Sequence, residues 1–182
     1  MSSKPKQIDT SLRQFIKDLG YISGGAALLA TTPWLQSFTP DKVKEMKKEK
    51  ARIGFIGTGS RGQYNIQAVM AIPHADIVAL CDNYLPNLQA ASTLCPNARK
   101  YSDYRKVLES PDIDGVIIST PLYLHAPMTL DALSAGKHVY CEKAMALTMD
   151  ECKAVYDAYQ KTDHVLYFCM QRMFDEKYIK GM

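Results

Sequence analysis

A chain of 182 residues is long enough for one domain with a tail, and a composition 47% hydrophobic and 23% charged is that of a soluble globular protein, which sets aside disordered and fibrous classes. The formal net charge of +3 lies in the first fifty residues, and no basic stripe interleaved with aromatics follows, which argues against a nucleic-acid partner. Five cysteines, Cys81, Cys95, Cys141, Cys152 and Cys169, form no C-x-x-C pair; they read as free thiols, mostly in apolar runs, and indicate neither a metal site nor a disulfide framework.

The chain starts positively, with Lys4, Lys6, Arg13 and Lys17. A modestly apolar stretch from Leu19 to Leu35 follows, containing Gly20, Gly24, Gly25 and Pro33. It is shorter than the ~20 apolar residues a membrane span needs. Residues 1–38 therefore read as a cleavable export signal rather than a stable membrane anchor. Within them SLRQFIK, Ser11 to Lys17, resembles the twin-arginine pattern S-R-R-x-F-L-K, with Phe15 and Lys17 in place and Leu12 where the first arginine stands. Periplasmic location is the expectation; the alternative is an amphipathic N-terminal helix of a cytoplasmic protein. Residues 39–50, dense in Lys and Glu, read as a solvated charged linker.

From Ala51 onward apolar runs alternate with helical patterns. ARIGFIG predicts a buried strand. SRGQYNIQAVMAI predicts a helix that brings Tyr64, Ala68 and Ala71 near one another and is closed by Pro73. ADIVALCD is a second strand ending on an acid, and YLPNLQAASTLC a helix with Pro86 in its first turn. A weak third strand lies near Arg99 to Tyr101, followed by the short helix SDYRKVLES with Ser102 as N-cap. DGVIIST is a strand ended by Pro121, and APMTLDALSAG a helix stopped by Gly136. KHVYCEK is a fifth strand, TMDECKAVYDAYQKTD a helix with Thr148 and Glu151 at capping-box spacing, and HVLYFCM a sixth strand. Near-continuous apolar strands between helices indicate a parallel sheet covered on both faces. The fold class is α/β, a doubly wound Rossmann sheet over residues 51–170.

The first strand stops at G-x-G-x-x-G, with Gly57 for a tight turn, Gly59 for close approach of a pyrophosphate to the backbone, and Gly62 for packing of helix on sheet. The helix starting near Ser60 would direct unpaired N–H groups and a positive dipole end at phosphates, with Ser60 and Arg61 as added donors. Asp82 follows Gly62 by twenty residues, at the end of the second strand, where a carboxylate binds the adenosine ribose hydroxyls and repels a 2′-phosphate. NAD is therefore the expected cofactor in preference to NADP.

The run GVIISTPLYLHAPMTLDALSAGKHVYCEKAMAL resembles the glucose–fructose oxidoreductase, inositol dehydrogenase and MocA (Gfo/Idh/MocA) family in several motifs in the same order. These are a strand ending in T-P (Thr120, Pro121), a histidine soon after (His125), an A-G-K-H-V strand entry (Ala135 to Val139), and E-K (Glu142, Lys143). The resemblance covers roughly residues 51 to 175. It implies that Thr120, Pro121, His125, Glu142 and Lys143 lie about the cofactor, with Lys143 beside the nicotinamide as proton acceptor and His125 as a second candidate for catalysis. A lysine serves as a base near neutral pH where burial or positive charge lowers its ordinary pKa of ~10.4. The family has proline after this lysine, often with a cis peptide; Ala144 stands there. Gln171 and Arg172 match a Q-R pair that follows the sixth strand in the family, which makes Arg172 a further cofactor-site candidate. Residues 171–182 then read as the start of the family's second, substrate-binding domain, and a chain ending at Met182 reads as a fragment or the first piece of a split gene.

Three functions follow as expectations. The intact enzyme would be an NAD(P)-dependent oxidoreductase acting on CH–OH of a small sugar or polyol. Alternatively it would be an NAD-dependent glycosidase working by transient oxidation and elimination, or a non-catalytic NAD-binding module. The resemblance implies homo-oligomers for intact relatives.

Overall fold

Where the sequence becomes continuously apolar, strands form. In the computed structural model, which describes residues 50–170, β1 spans Ala51–Ile56, β2 Ala75–Cys81, β3 Arg99–Tyr101, β4 Gly115–Ile118, β5 His138–Cys141 and β6 Leu166–Phe168. The export segment expected at 1–38, nearly all of the linker, and Gln171, Arg172 and the second-domain start lie outside the described residues. The six strands form one sheet in the order β3-β2-β1-β4-β5-β6, and every neighbouring pair is parallel. This is the doubly wound arrangement expected, with its reversal of strand order between β1 and β4.

Five helices connect the strands: α1 Ser60–Met70, α2 Leu85–Leu94, α3 Tyr104–Leu108, α4 His125–Ser134 and α5 Met149–Tyr159. Side chains alternate across the pleat. Ile53, Phe55, Leu80 and Ile117 pack against Ile66 and Val69 of α1 and Leu88 and Ala91 of α2. On the other face Ile56, Val116, Ile118 and Val139 pack against Val107 and Leu108 of α3 and Ala132 and Leu133 of α4. Each of the valine, leucine, isoleucine and phenylalanine side chains, fully buried, contributes about 1.5–3 kcal/mol relative to exposure. The strand ends are thereby held as a rigid platform.

Local chemistry explains the boundaries. Thr148 accepts from the Glu151 N–H while Glu151 accepts from the Thr148 N–H, the capping box expected at the start of α5. Gly136, at φ +73°, ends α4; its N–H bonds to Leu133 O, and the Lys137 N–H bonds to Ala132 O. One expectation is corrected. Asp103, not Ser102, caps α3, accepting the Arg105 N–H at 3.0 Å; both residue types suit the position, and the helix starts one residue later than Ser102 would require. The helix α1 forms as expected and turns Gly62, Asn65, Ile66 and Val69 toward the sheet, with Tyr64 on its exposed side.

At the opposite end of the sheet from the glycine turn, Arg52 on β1 donates to Asp114 before β4, from its N–H at 2.7 Å and its Nη2 at 2.6 Å. Desolvation works to raise the Asp114 pKa, but the hydrogen bonds and charge of Arg52 outweigh it and hold the carboxyl below 3.8. A depressed carboxylate contributes stability that is present above its unfolded value and is lost as pH falls through the native one. Asp114→Asn is expected to lower stability to urea near neutral pH, and its deficit should shrink as pH falls below 3.8. A deficit independent of pH would show that Asp114 acts by packing alone.

Candidate functional site

The parallel ladders bring the carboxyl ends of β1, β2, β4 and β5 to one edge. Gly57 N–H bonds to Cys81 O at 2.8 Å, Ser119 N–H to Ile56 O at 2.8 Å, and Glu142 N–H to Ile118 O at 2.9 Å. The residues that follow these strands therefore share one rim, at the switch point where ligands of open α/β sheets bind.

The three glycines of the turn do different work. Gly57 has φ +89°, and an added Cβ would lie 2.7 Å from Ser119 O. At Gly62 an added Cβ would lie 2.2 Å from Gly57 O. The protein itself requires both. Gly59 has φ −64° and ψ −169°, which any residue adopts, and its added Cβ would meet only Asn87 Nδ2, at 3.5 Å. Packing does not require a glycine there; access does. No side chain caps α1, and its first turn holds no acid. Its leading N–H groups, which lack intrahelical acceptors, give the rim a positive end. Ser60 is exposed beside Gly59.

Asp82 leaves β2 on the same rim. Its Oδ2 accepts from Thr58 N–H at 2.8 Å, Thr58 Oγ1 at 3.1 Å and, at 3.4 Å, Asn87 Nδ2; its Oδ1 accepts from Tyr84 N–H at 2.9 Å. Gln63 Nε2 donates to Thr58 O at 3.0 Å. The acid and the glycine turn are thus one hydrogen-bonded unit.

A second unit joins α1 to the end of β5. Glu142 is 5% exposed, and its Oε1 accepts from Arg61 Nε at 2.6 Å and Asn65 Nδ2 at 3.0 Å. Asn65 Nδ2 also bonds to Ser119 Oγ at 3.1 Å. Burial works against the Arg61 charge, but Glu142 outweighs it and holds the guanidinium above its ordinary value. Arg61 also lies over the Tyr64 ring, 5.0 Å from its centre. The first turn of α1 carries the Arg61 Nε to Glu142.

Lys143 follows on the rim and is exposed. The Lys143–Ala144 peptide is cis, as at the family's proline. His125 is 1% exposed, with Nδ1 2.7 Å from Ala144 O and Nε2 2.9 Å from Thr120 O. Both ring nitrogens face main-chain carbonyls, Nδ1 toward the Lys143 loop and Nε2 toward the end of β4, so among the described residues the histidine's partners are backbone. Thr120 is half-buried and offers its Oγ1 to Met128 Sδ at 3.7 Å; Pro121 is exposed. Thr58, Asn65, Ser119 and Asn87 are functional candidates that the motifs do not single out. Burial pushes the Cys81 and Cys141 thiols up to about 12, so both are inert.

These residues fit a dinucleotide. Gly59 leaves the open approach a pyrophosphate needs, the α1 N-terminus suits its charge, and Asp82 suits ribose hydroxyls. Known proteins agree. The model of the oxidoreductase family with NAD-binding Rossmann fold (GFO_IDH_MocA) matches residues 51–169. A glycosyl hydrolase family 109 protein of Shewanella baltica is 32% identical over 169 residues, covering 82% of this chain and 37% of its own length. An alpha-N-acetylgalactosaminidase of Shewanella oneidensis is 35% identical over 125 residues, covering 64% and 27%. Among solved structures, scyllo-inositol dehydrogenase from Lactobacillus casei with bound NAD(H) and scyllo-inositol aligns with TM-score 0.68 at 26% identity, over 73% of this chain and 40% of that one. A levoglucosan dehydrogenase in complex with NADH aligns with TM-score 0.62 at 30% identity, over 66% and 34%. The chain spans little more than a third of the length of the first of these curated relatives.

Two glycine substitutions separate ligand access from packing. Gly59→Ala should leave the thermal midpoint nearly intact, at the modest cost of about 1 kcal/mol or less for alanine at an N-cap, while weakening NAD binding at least about tenfold. Gly62→Ala should lower the midpoint sharply, since its Cβ meets backbone. Titration calorimetry and thermal melts check both; a Gly59→Ala protein that binds NAD normally would contradict the assignment.

Proposed function

We propose, since the chain belongs to the Gfo/Idh/MocA oxidoreductase family and carries its NAD-binding Rossmann fold, that the whole protein oxidises or reduces CH–OH of a small sugar or polyol. The observation that carries this is the shared rim: Gly59 without a packing role, Asp82 locked to the glycine turn, and Lys143 exposed at the end of β5 two strands away. Gly57, Gly59, Ser60 and Gly62 would hold the diphosphate and Asp82 the adenosine ribose. Thr120, Pro121 and Glu142 would flank the nicotinamide end. Bound NAD supplies the hydride acceptor. Lys143 Nζ would take the hydroxyl proton as the substrate carbon loses hydride, and Glu142 with Arg61 and Asn65 would hold the strand end that presents it. The solved dehydrogenases bound to NAD(H) or NADH support the reading.

A second reading, an NAD-dependent glycosidase acting by transient oxidation and elimination, is favoured by the curated relatives, glycosyl hydrolase family 109 proteins among them. We also propose periplasmic export, on the strength of SLRQFIK at residues 11–17.

With NAD and a sugar and polyol panel, absorbance of NADH should rise, and Lys143→Ala should cut turnover by about 10²–10⁴ while leaving NAD affinity within about twofold. Release of nitrophenol from a nitrophenyl N-acetylgalactosaminide without net NADH would replace the first reading with the second. NAD binding with neither turnover would leave a binding module.

A further inference from the structure

The sequence motif assigns the ribose to Asp82 and gives Thr58, the first variable residue between the glycines, no role. The structure gives it one. Thr58 is completely buried, yet it turns both its N–H and its hydroxyl toward a single oxygen, Asp82 Oδ2, at 2.8 and 3.1 Å. A carboxylate offers about four lone-pair positions. Thr58 occupies the two on Oδ2, and the Tyr84 N–H takes one on Oδ1 at 2.9 Å. Asn87 Nδ2 adds a long 3.4 Å contact to the same Oδ2, so the remaining position on Oδ1 is what a ligand can use. The acid is therefore pinned from behind before any nucleotide arrives.

We propose that Thr58 is the positioning residue that sets cofactor choice: by fixing the Asp82 carboxylate it keeps negative charge where a ribose 2′-phosphate would stand and presents Oδ1 to a ribose hydroxyl. The inference rests on the reading that NAD binds at this turn. A pinned carboxylate cannot swing aside to relieve repulsion, and it gives up no freedom on binding the ribose. Removing the hydroxyl leaves the charge in place and takes away one of its three close donors, which loosens its orientation, so the cost falls on NAD and the penalty on NADP relaxes.

Dissociation constants for NAD and NADP, measured by calorimetry on this chain and on Thr58→Val and Thr58→Ser, test the proposal. Thr58→Val, nearly isosteric, should weaken NAD about tenfold, the scale of one hydrogen bond to a charged group, and leave NADP within about twofold, so the preference for NAD narrows. Thr58→Ser, which keeps the hydroxyl, should restore wild-type values for both within about twofold. Should the valine variant fail to fold, Thr58→Ala carries the same expectation. An unmoved NAD to NADP ratio, whether from equal affinities or equal losses, overturns the proposal, as does a serine variant that behaves like valine. Those results leave NAD binding standing; a wild-type chain that binds neither dinucleotide overturns the underlying reading instead.

Discussion

Gly62 lies so close to the carbonyl of Gly57 that a methyl group there would sit 2.2 Å from the oxygen. Every other feature of the rim depends on that contact. It draws the first turn of α1 under the end of β1, and so fixes which side of the helix meets the sheet. Ile66 and Val69 then enter the core, Asn65 reaches Ser119 and Glu142, and Tyr64 is left outside. The positive end of the helix comes to the switch point between β1 and β4. A larger residue at position 62 would push the helix outward and undo all of these at once.

Two acids flank this helix end and are treated differently. Glu142 is buried and paired with Arg61, and it also accepts from Asn65 Nδ2 and the Lys143 N–H, so it acts as a brace between α1 and β5. A buried carboxylate without such partners would carry a large desolvation cost. Asp82 is only partly buried, and its partners are main-chain, hydroxyl and amide donors rather than a cation. Its charge is therefore oriented but not cancelled, which is what recognition of ribose hydroxyls requires. His125 braces a third point, holding the loop after Lys143 to the end of β4 through two carbonyls.

The fold was legible because its signals are local. Apolar strands of four to seven residues, the capping box at Thr148 and Glu151, and the glycine stop at Gly136 each act within a few positions. The site was legible where a motif fixes backbone geometry, as at Gly57, Gly59 and Gly62, or where a strand end fixes an acid, as at Asp82. It was not legible where the partner is remote. The ion pair of Arg61 Nε with Glu142, 81 positions away, exists only once β5 stands beside α1. The carbonyls of Thr120 and Ala144 at the His125 ring are likewise brought there only by the fold. Thr58 and Asn65 carry no spacing signal, because their roles exist only once β2, β4 and β5 stand beside α1. Ser102 and Asp103 differ by one position and both cap well, so only the folded chain decides between them.

A dinucleotide's diphosphate that rests on bare main chain between β1 and α1 should be visible by amide-resolved NMR titration of the chain with NAD. The largest shifts should fall at the N–H groups of Gly59 to Gly62 and at Asp82, saturating together with one affinity. Shifts concentrated elsewhere on the sheet, or an unmoved glycine turn in the presence of bound NAD, would contradict this placement of the diphosphate.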